Sequence, residues 1–294
     1  MKPLVSIITV NYNGLEHTLD LIKALEQNEY PNFELWVVDN NSQESVDVIK
    51  GIHDWVHLVR SNENLGFAGG NNLAIRKAKG KYIYLLNNDT IPEPDCIAPL
   101  VELMESSRKI GIVASKLRYT HHPNILQFAG STEMHPIFIR SHSIGYGERD
   151  EGQYDETKPT ALAHGAAMMV SAEAIQTVGL MPELYFLYYE EVDWCEMMKR
   201  AGYEIYFEPR SLVFHKESMT NVKNSPLQIY YKTRNRILFA RRNQNFFQKM
   251  ISMPYLMGVA GSAHLLKWLL KGRIDLAKAH SKALIWHFSH EAKS

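Results

Sequence analysis

"VSIITVNYNGLEHTLDLIKALEQNEYPNFELWVVDNNS", residues 5–42, contains two short apolar runs on either side of a longer segment. Each run is rich in β-branched residues and ends in polar, turn-forming residues, which is typical of a strand. The segment between them places its apolar residues at helical spacing. A strand, a helix and a strand of these lengths predict a right-handed βαβ unit with parallel strands.

The same alternation continues over the first hundred residues. VHLVRS (56–61) and YIYLLNNDT (82–90) predict further strands, and SQESVDVIKGIHD (42–54) and NNLAIRKAKG (71–80) predict helices. Ligands of parallel sheets bind beyond the carboxyl ends of the strands. Because each predicted strand ends in polar residues, we expect a binding site at that edge of the sheet.

The composition is that of a globular protein from a reducing compartment. The chain has 294 residues, of which 45% are hydrophobic, and its two cysteines are too few for a disulfide framework. The N-terminal residues lack the apolar core and cleavage site of a secretory signal. The length allows one large domain with an appendage or two modest domains.

The formal net charge of zero conceals a division along the chain. Residues 1–220 carry 19 Lys and Arg against 30 Asp and Glu, a net charge of −11, whereas residues 221–294 carry 13 against two, a net charge of +11. This asymmetry predicts a basic surface for an anionic partner. Nucleic acid, an acidic membrane face and the acidic body of the same protein are the alternatives.

The basic region is predicted to be helical. IYYKTRNRILFARRN (229–243) has the pattern of a basic amphipathic helix, and the apolar stretch 253–273 is interrupted by Pro254, His264 and Lys267. A membrane-spanning helix needs about 20 mostly apolar residues. We therefore favour helices that lie at a membrane surface or pack onto the body over a helix that spans the bilayer.

The polar strand ends offer candidate ligand contacts, each with a structural alternative. Asp39 could accept hydrogen bonds from a ribose or a base, or could form an Asx turn before a helix capped by Ser42. The glycines of NLGFAGGNN (64–72) would let the backbone approach a ligand closely. Their spacing matches neither the dinucleotide-binding fingerprint nor a P-loop.

Two further groups could bind a metal ion. Asn87, Asn88 and Asp89 end a very apolar strand, and such an oxygen-rich end suits a hard divalent cation. His215 also follows an apolar run, and a neutral imidazole could supply another ligand. Taken singly, the Asn-Asn-Asp run is weak evidence against a plain turn, and a structural histidine is the better explanation of His215.

FLYYEEVDW, residues 186–194, brings Glu190, Glu191 and Asp193 to the start of a predicted helix. Acids in the first turn of a helix are stabilised by its dipole, by about 0.3–1 kcal/mol each. The same dipole is expected to favour the ionised carboxylates. The local sequence therefore explains the three acids without catalysis.

Together and in this order, the motifs resemble those of a known family. VSIITVNYNG, VVDNNS, NLGFAGGNN, LLNNDT, HGAAMMV, YFLYYEEVDWC and LVFHKES are similar to motifs of the inverting GT-A type glycosyltransferases of family 2, especially its rhamnosyltransferase-like branch. The resemblance covers residues 4–220, and YYKTRNRILFARRN resembles, less specifically, the helical ends of such enzymes. It implies an α/β GT-A fold, a Rossmann-like, mostly parallel sheet flanked by helices, with a C-terminal helical extension.

The resemblance also implies a donor site and a metal site. Asp39 matches an acid that contacts the base of the nucleotide, and Asn87 and Asp89 occupy the outer positions of the family's D-x-D motif. Asp89 and His215 would bind a divalent cation, Mg²⁺ or Mn²⁺. The predicted nucleotide- and donor-binding residues are Asn11, Asn13, Asp39, Asn41, Asn64, Gly66, Phe67, Gly70, Asn87 and Asn88.

On the acceptor side, the resemblance places the catalytic base at Glu191. The predicted acceptor-binding residues are His164, Gly165, Tyr189, Glu190 and Asp193. Two positions depart from the family pattern. Asn87 replaces an aspartate, which removes one negative charge from the metal site, and Glu191 replaces the usual aspartate base with a side chain that is one methylene longer.

The implied protein is a metal-dependent inverting glycosyltransferase of hexosyl- or rhamnosyltransferase type. Residues 1–220 would form the nucleotide-sugar-binding and catalytic domain, and residues 221–294 a basic, amphipathic helical region. The donor would be dTDP-rhamnose or a UDP-sugar, and the acceptor a glycan or a lipid-linked saccharide of cell-envelope polysaccharide synthesis. The expected location is cytoplasmic, peripheral on the cytoplasmic face of the plasma membrane, with the basic region on anionic lipid and no nucleic-acid partner.

Two alternatives remain open at this point. A nucleotidyltransferase would also bind nucleotides at strand ends, but NYNGLEH (11–17) lacks the Gly-rich, Lys- or Arg-bearing loop that such enzymes usually carry. A non-catalytic nucleotide-sugar-binding protein is favoured by Asn87, because the substitution weakens the D-x-D motif.

Overall fold

The computed structural model describes residues 2–216 and 225–291. A ten-stranded sheet with helices packed against it forms the body. The strands are β1 (Val5–Asn11), β2 (Phe33–Asp39), β3 (Val56–Arg60), β4 (Tyr82–Leu86), β5 (Thr90–Pro92), β6 (Ile110–Tyr119), β7 (His122–Phe128), β8 (Lys158–Pro159), β9 (Ala167–Ser171) and β10 (Glu204–His215). The helices are α1 (Leu15–Leu25), α2 (Gly66–Ile75), α3 (Ile97–Ser106), α4 (Ala172–Val178), α5 (Glu190–Arg200), α6 (Pro226–Asn243), α7 (Phe246–Met253), α8 (Ala260–Leu270) and α9 (Ile274–Ser289), with a π-helical segment at Pro254–Val259 between α7 and α8.

The strand order β3-β2-β1-β4-β9-β6-β10-β5 defines the sheet, with β7 paired to β6 and β8 to β10. The four strands β1 to β4 are parallel, as the βαβ pattern predicts. β9 lies between β4 and β6 and is antiparallel to both, whereas β10 runs parallel to β6. The predicted class, a mostly parallel sheet flanked by helices with C-terminal helices, is confirmed.

The polar ends of the parallel strands meet at one edge of the sheet. Asn11 lies opposite Asp39, and Asp39 lies opposite Arg60. The strand residues before this edge form the hydrophobic core, including Val5, Ile7, Ile8, Leu35, Val37, Val38, Tyr84 and Leu85. Because this core is close-packed, the residues that follow the strands hold defined positions.

The helix predicted for residues 42–54 is wrong. Only one 3₁₀ turn, Asp47–Ile49, forms there. The hydroxyl of Ser45 accepts a hydrogen bond from the backbone N–H of Asp47, and such local bonds compete with helical ones. β-branched Val46 and Val48 lower the helix propensity further. The helix predicted for 71–80 forms only in part, because α2 runs from Gly66 to Ile75.

The C-terminal helices dock onto the body through α5 and the loop before it. The fully buried carboxylate of Asp193 accepts hydrogen bonds of 2.7 Å from Arg242 Nε and of 2.7 Å from Asn243 Nδ2. Apolar residues of α6 form a second core with the body, comprising Tyr185, Ile139, Ile237, Leu238, Phe239, Ala240 and Leu256. α9 packs along α6, and α8 packs on α9.

Two predictions concern the C-terminal region as a whole. No helix within residues 2–216 and 225–291 is long and apolar enough to cross a membrane. The predicted domain boundary between residues 220 and 221, and the end of the LVFHKES motif, lie outside the described residues.

Candidate active site

A cavity of about 390 Å³ opens at the carboxyl ends of β1, β2 and β4. We call it the strand-end cavity. Its walls include seven residues of the predicted donor and metal sites: Asn13, Asn64, Gly66, Phe67, Asn87, Asn88 and Asp89. Tyr12, His17 and Asn40 complete the polar part of the wall, and Phe186, Leu187 and Leu227 provide an apolar part. The sheet edge thus carries a site of the size and mixed polarity that small ligands occupy.

Asn40 organises the loop after β3, and the sequence analysis missed it. Its buried Nδ2 donates to Asn64 Oδ1 at 3.1 Å and to the carbonyl of Gly66 at 3.0 Å, while its Oδ1 accepts from the N–H of Leu65 at 2.9 Å. The neighbouring Asn41, which the sequence analysis selected, is exposed and has a φ of +66°. The sequence marks both residues as turn formers and cannot tell which one faces the loop.

Three other predicted donor residues, Asn11, Asp39 and Gly70, are not among the residues that line this cavity. They make structural contacts next to it. Asn11 is fully buried, donates from Nδ2 to Ser42 Oγ at 3.0 Å and accepts from Thr18 Oγ1 at 2.9 Å. Asp39 Oδ1 accepts from the N–H of Ser42 at 3.1 Å, three residues on, whereas an Asx turn would bond the N–H two residues on. The helix that Ser42 was expected to cap does not form. A Cβ at Gly70 would lie 2.9 Å from Val10 Cγ1, so this glycine lets α2 pack closely on β1. A ligand contact of these residues stays a prediction.

Gly66 joins the strand-end cavity to the segment before α5. Its φ is +70°, and a Cβ there would lie only 2.8 Å from the carbonyl carbon of Phe186 and closer still to its oxygen. The N–H of Phe67 donates to the same carbonyl oxygen at 2.8 Å. Only glycine fits this position, because both its backbone conformation and the space around it exclude a side chain.

The segment Phe186–Tyr189, which we call the YY loop, is strained. Phe186, Tyr188 and Tyr189 have φ values of 65°, 70° and 77°. A non-glycine residue in this region costs about 1–2 kcal/mol. Phe186 and Leu187 line the strand-end cavity, whereas Tyr188 and Tyr189 line a second cavity. The YY loop is therefore the wall that the two cavities share.

α6 holds the YY loop in place. The Nδ2 of Asn235, which is fully buried, donates to the carbonyl oxygens of Tyr185, Leu187 and Tyr188 at 3.0, 2.7 and 2.8 Å. The adjacent Arg234 donates to the carbonyl oxygens of Leu184 and Tyr185 at 2.9 and 2.6 Å. These donors satisfy carbonyls that the turn leaves without helical partners.

The second cavity, which we call the helix-side cavity, has a volume of about 470 Å³. It lies between the start of α5 and the helices α6, α8 and α9, and Glu191 lies in its wall. A Cβ at Gly165 would lie 3.5 Å from Glu191 Cγ and 3.5 Å from the Phe67 ring. Gly165 therefore connects the wall of one cavity to the carboxylate of the other.

Burial dominates the chemistry of the two adjacent glutamates. Oε2 of Glu190 and Oε2 of Glu191 are buried, and neither has a hydrogen-bond partner among the described residues. Burial, together with the nearby charge of Glu191, raises the pKa of Glu190 well above its ordinary value, and burial also raises the pKa of Glu191. Desolvation therefore outweighs the helix dipole, which by itself would favour the ionised carboxylates.

Asp89 and His215 meet next to the strand-end cavity. His215 Nε2 lies 3.1 Å from Asp89 Oδ1, and His215 Nδ1 lies 2.8 Å from Gln127 Oε1. Burial alone would raise the pKa of Asp89, but the hydrogen bond and the charge of His215 outweigh it and hold this pKa below its ordinary value. Asp89 Oδ2 is buried and finds no hydrogen-bond partner in the described part of the chain.

The predicted acceptor residues separate into three groups. Tyr189 lines the helix-side cavity, and Gly165 lies against Glu191. His164 lies by the Asp89–His215 pair instead, with its ring 6.1 Å from that of His215, and burial followed by the charge of His215 lowers its pKa to about 3.

The remaining two acids are interior. Glu190 is 2% exposed, and Asp193 gives its carboxylate to Arg242 and Asn243 of α6. The geometry of Asp193 does not support the predicted acceptor contact, because both of its oxygens are already bonded inside the α5–α6 contact.

Comparison with known proteins places the chain in a class. A sequence profile of glycosyl transferase family 2 matches residues 6–178, which is more than half of the chain. The chain belongs to glycosyl transferase family 2. The predicted family is thereby confirmed, and with it the expectation of a glycosyltransferase.

Individual relatives agree with this assignment. The chain is 29% identical over 255 residues to the low-salt glycan biosynthesis hexosyltransferase Agl10 of Haloferax volcanii, covering 84% of this chain and 78% of the relative. It is 26% identical over 262 residues to the dTDP-rhamnosyl transferase RfbF of Shigella flexneri, covering 83% and 82%. Among solved structures, the mannosyltransferase PcManGT of Pyrobaculum calidifontis, in complex with GDP-Man and Mn²⁺, superimposes with a TM-score of 0.59 at 16% identity over 99% of this chain and 76% of that chain. This likeness supports the GT-A fold.

Gly66→Ala tests the junction between the two cavities. We expect a loss of nucleotide binding and a decrease in the free energy of unfolding that exceeds that of Gly147→Ala by about 1–3 kcal/mol, the usual range for overpacking. Gly147 is the matched control, because it also has a positive φ, +77°, but a Cβ there would meet nothing within 4 Å. Urea unfolding and calorimetric titration with UDP and dTDP measure both effects. Equal destabilisation by the two variants, with nucleotide binding intact, would contradict the close approach.

Proposed function

We propose that the protein is a metal-dependent, inverting glycosyltransferase. The donor is a nucleoside-diphosphate sugar of dTDP-rhamnose or UDP-sugar type, and the acceptor is a glycan or lipid-linked saccharide of cell-surface polysaccharide synthesis. One observation carries this proposal. The YY loop lies between a cavity at the strand ends and a cavity lined by Glu191, whose buried Oε2 has no hydrogen-bond partner among the described residues, so we infer that the donor and acceptor sites share one wall.

The donor site is the strand-end cavity. Asn64, Gly66 and Phe67 would contact the nucleoside, and Asn87 and Asn88 the ribose and diphosphate. Two similar proteins support this assignment, because one is a dTDP-rhamnosyl transferase and the PcManGT structure holds GDP-Man.

Asp89 and His215 would bind a divalent cation, Mg²⁺ or Mn²⁺. The unpaired, buried Oδ2 of Asp89 fits a metal ligand, and His215 Nε2 lies beside the same carboxylate. Within residues 2–216 and 225–291 no cluster of three His, Cys, Asp or Glu side chains could hold a metal, so the fit relies on oxygens of the donor diphosphate for the other ligands, as is usual for Mg²⁺. A bound cation would act there as a Lewis acid on the diphosphate.

Glu191 acts as the general base in this proposal. It accepts the proton of an acceptor hydroxyl while that oxygen forms a bond to the anomeric carbon of the donor sugar. The bond from this carbon to the diphosphate oxygen breaks, and the nucleoside diphosphate leaves with the electron pair. Because attack comes from the face opposite the leaving group, the anomeric configuration inverts.

Glu191→Gln tests the base. Glutamine cannot accept the proton, and a positioned general base contributes about 10²–10⁴-fold. We therefore expect release of nucleoside diphosphate, with water or saccharide as acceptor, to fall at least about 100-fold, while the dissociation constant of the nucleotide stays unchanged. The matched control is Glu196→Gln on the same helix, which removes an acid paired with Lys199 outside the helix-side cavity. Unchanged turnover in Glu191→Gln would overturn the assignment.

The pH profile gives a second readout of the same variant. Burial raises the pKa of Glu191 above 4.5, so the carboxyl group stays protonated to a higher pH and is a base only above its raised pKa. Wild-type turnover should therefore rise with pH through a midpoint above 4.5, and this limb should disappear in Glu191→Gln.

Asp89→Asn tests the metal site. We expect Mn²⁺ to tighten nucleotide binding in the wild type. In the variant this enhancement should fall at least about tenfold, because loss of a group that supports a metal site commonly lowers the affinity for the metal by about 10–100-fold. Calorimetric titration with UDP and dTDP, in Mn²⁺ and in EDTA, measures the enhancement. Asp54→Asn, which removes an exposed carboxylate, is the control. A wild type that is fully active in EDTA would refute metal dependence.

We also propose that the C-terminal helices attach the protein to the cytoplasmic face of an anionic membrane. Region 221–294 has a net charge of +11, from 13 basic and two acidic residues. Its helices also expose large apolar side chains, namely Phe246, Phe247, Met250, Ile251, Leu266, Leu270, Ile285 and Phe288. Basic and apolar groups together are the features of interfacial helices.

Phe246→Ser/Phe247→Ser tests this attachment. These side chains are 70% and 76% exposed, so the change should leave folding intact while it weakens binding to vesicles of phosphatidylcholine with phosphatidylglycerol. Tyr146→Ser, which removes a 59% exposed side chain from the body, is the control. Vesicle sedimentation at low and high salt is the measurement. Failure of the wild type to sediment at low salt, or equal sedimentation of both variants, would exclude this surface.

A further inference from the structure

The helix-side cavity combines Glu191 with a group of cationic side chains. Arg140 follows β7, Lys232 and Arg236 lie on α6, and Lys267 lies on α8, and all four line the same cavity of about 470 Å³. Three separate parts of the chain thus bring positive charge to the space in front of Glu191. The size of the cavity is in the range of small-molecule sites.

Three of these cations, Arg140, Arg236 and Lys267, are not paired with a carboxylate of the described residues as other cations of the body are. Lys116 and Arg118, for example, share the buried carboxylate of Asp150. In contrast, Arg140, Arg236 and Lys267 form no ion pair with any carboxylate of residues 2–216 and 225–291. Cations that line a cavity beside Glu191 without forming an ion pair favour an added anion as their partner.

Arg236 shows how closely the positive charges approach. Its guanidinium donates from Nε to the carbonyl oxygen of Phe138 at 2.7 Å, a neutral partner. Burial first, and the charge of Arg140 in addition, lower the pKa of Arg236, while Tyr189 opposes the shift. Two guanidinium groups near each other in a partly buried site repel, and a bound anion would relieve this repulsion.

We propose that the helix-side cavity binds a phosphate or diphosphate group of the acceptor. The acceptor of the reaction proposed above is then a saccharide carried on phosphate or diphosphate, with its free hydroxyl at Glu191 and its phosphate oxygens at Arg140, Lys232, Arg236 and Lys267. Guanidinium groups bind phosphate through paired N–H donors, and ammonium groups add charge. A neutral glycan would bring no negative charge to Arg140, Arg236 and Lys267. This inference rests on the proposed function, since it names the acceptor of the same site.

Arg140→Gln/Lys267→Gln is the test variant, because both side chains line the cavity and Gln keeps a polar chain. Lys249→Gln/Lys278→Gln is the charge-matched control; both residues belong to the basic region, and neither lines the helix-side cavity. The probes are geranyl diphosphate and the uncharged alcohol geraniol, titrated calorimetrically into the full chain. EDTA is present so that metal-assisted binding of diphosphate at Asp89 is silent.

We expect geranyl diphosphate to bind the wild type at least about tenfold more tightly than geraniol does, and the test variant to lose most of this difference. The control variant and Asp89→Asn should bind geranyl diphosphate as the wild type does, and thermal unfolding should show that all variants are folded. Equal affinity for the two probes, or equal affinity of test and control variants, would overturn the proposal.

Two further measurements distinguish this proposal from binding of a bilayer headgroup and from the proposed function itself. Vesicles containing phosphatidylglycerol show whether the cations serve a bilayer headgroup instead. If the test variant loses vesicle binding but keeps geranyl diphosphate binding, the acceptor assignment is wrong. Turnover of nucleotide sugars tests the proposed function independently, because a wild type that binds geranyl diphosphate in the cavity yet neither transfers nor hydrolyses any nucleotide sugar would refute the enzyme and leave the anion site standing.

Discussion

The side-chain amide of Asn235 makes the contact on which the site depends. It donates to three carbonyl oxygens of the YY loop and its approach, where three non-glycine residues have positive φ. Such a backbone persists only where its surroundings hold it. The loop in turn presents the carbonyl of Phe186 to the start of α2 and sets the first turn of α5, so the positions of Gly66 and Glu191 both follow from this hydrogen-bonded clamp.

α6 is therefore part of the site as well as an attachment to the body. Leu227 in its first turn lines the strand-end cavity, and Lys232 and Arg236 in later turns line the helix-side cavity. Arg242 at its end pairs with the buried carboxylate of Asp193. One basic residue of the C-terminal region, Arg242, thus forms an ion pair with α5. Others, such as Lys232 and Arg236, line the helix-side cavity next to Glu191. A buried ion pair adds little net stability, but removing one partner leaves an uncompensated buried charge and is strongly destabilising.

Unpaired polar atoms mark the proposed chemistry. Oε2 of Glu191 and Oδ2 of Asp89 are both buried and lack hydrogen-bond partners among the described residues. Leaving such an atom unpaired costs about 1–3 kcal/mol, so folded proteins usually avoid it. At these two positions a ligand would supply the missing partner, an acceptor hydroxyl at Glu191 and a cation at Asp89. Sites that break a rule of local stability in this way are commonly functional.

The sequence by itself determined the parallel strands, their polar ends and the family, because strand and helix periods are local properties and the motifs recur in order. At residues 42–54 the sequence predicted a helix, but only one 3₁₀ turn with its own side-chain bonds forms. Nor did the sequence show whether Asn40 or Asn41 bonds to the loop after β3. Only the tertiary structure decided the roles of the three acids in FLYYEEVDW. Asp193 bonds to Arg242, 49 residues away, Glu190 is buried, and Glu191 lines a cavity that three distant segments build. Burial and partners so far apart in the chain leave no local pattern, so neither the raised pKa of Glu191 nor the cations around it could be found before the chain was folded.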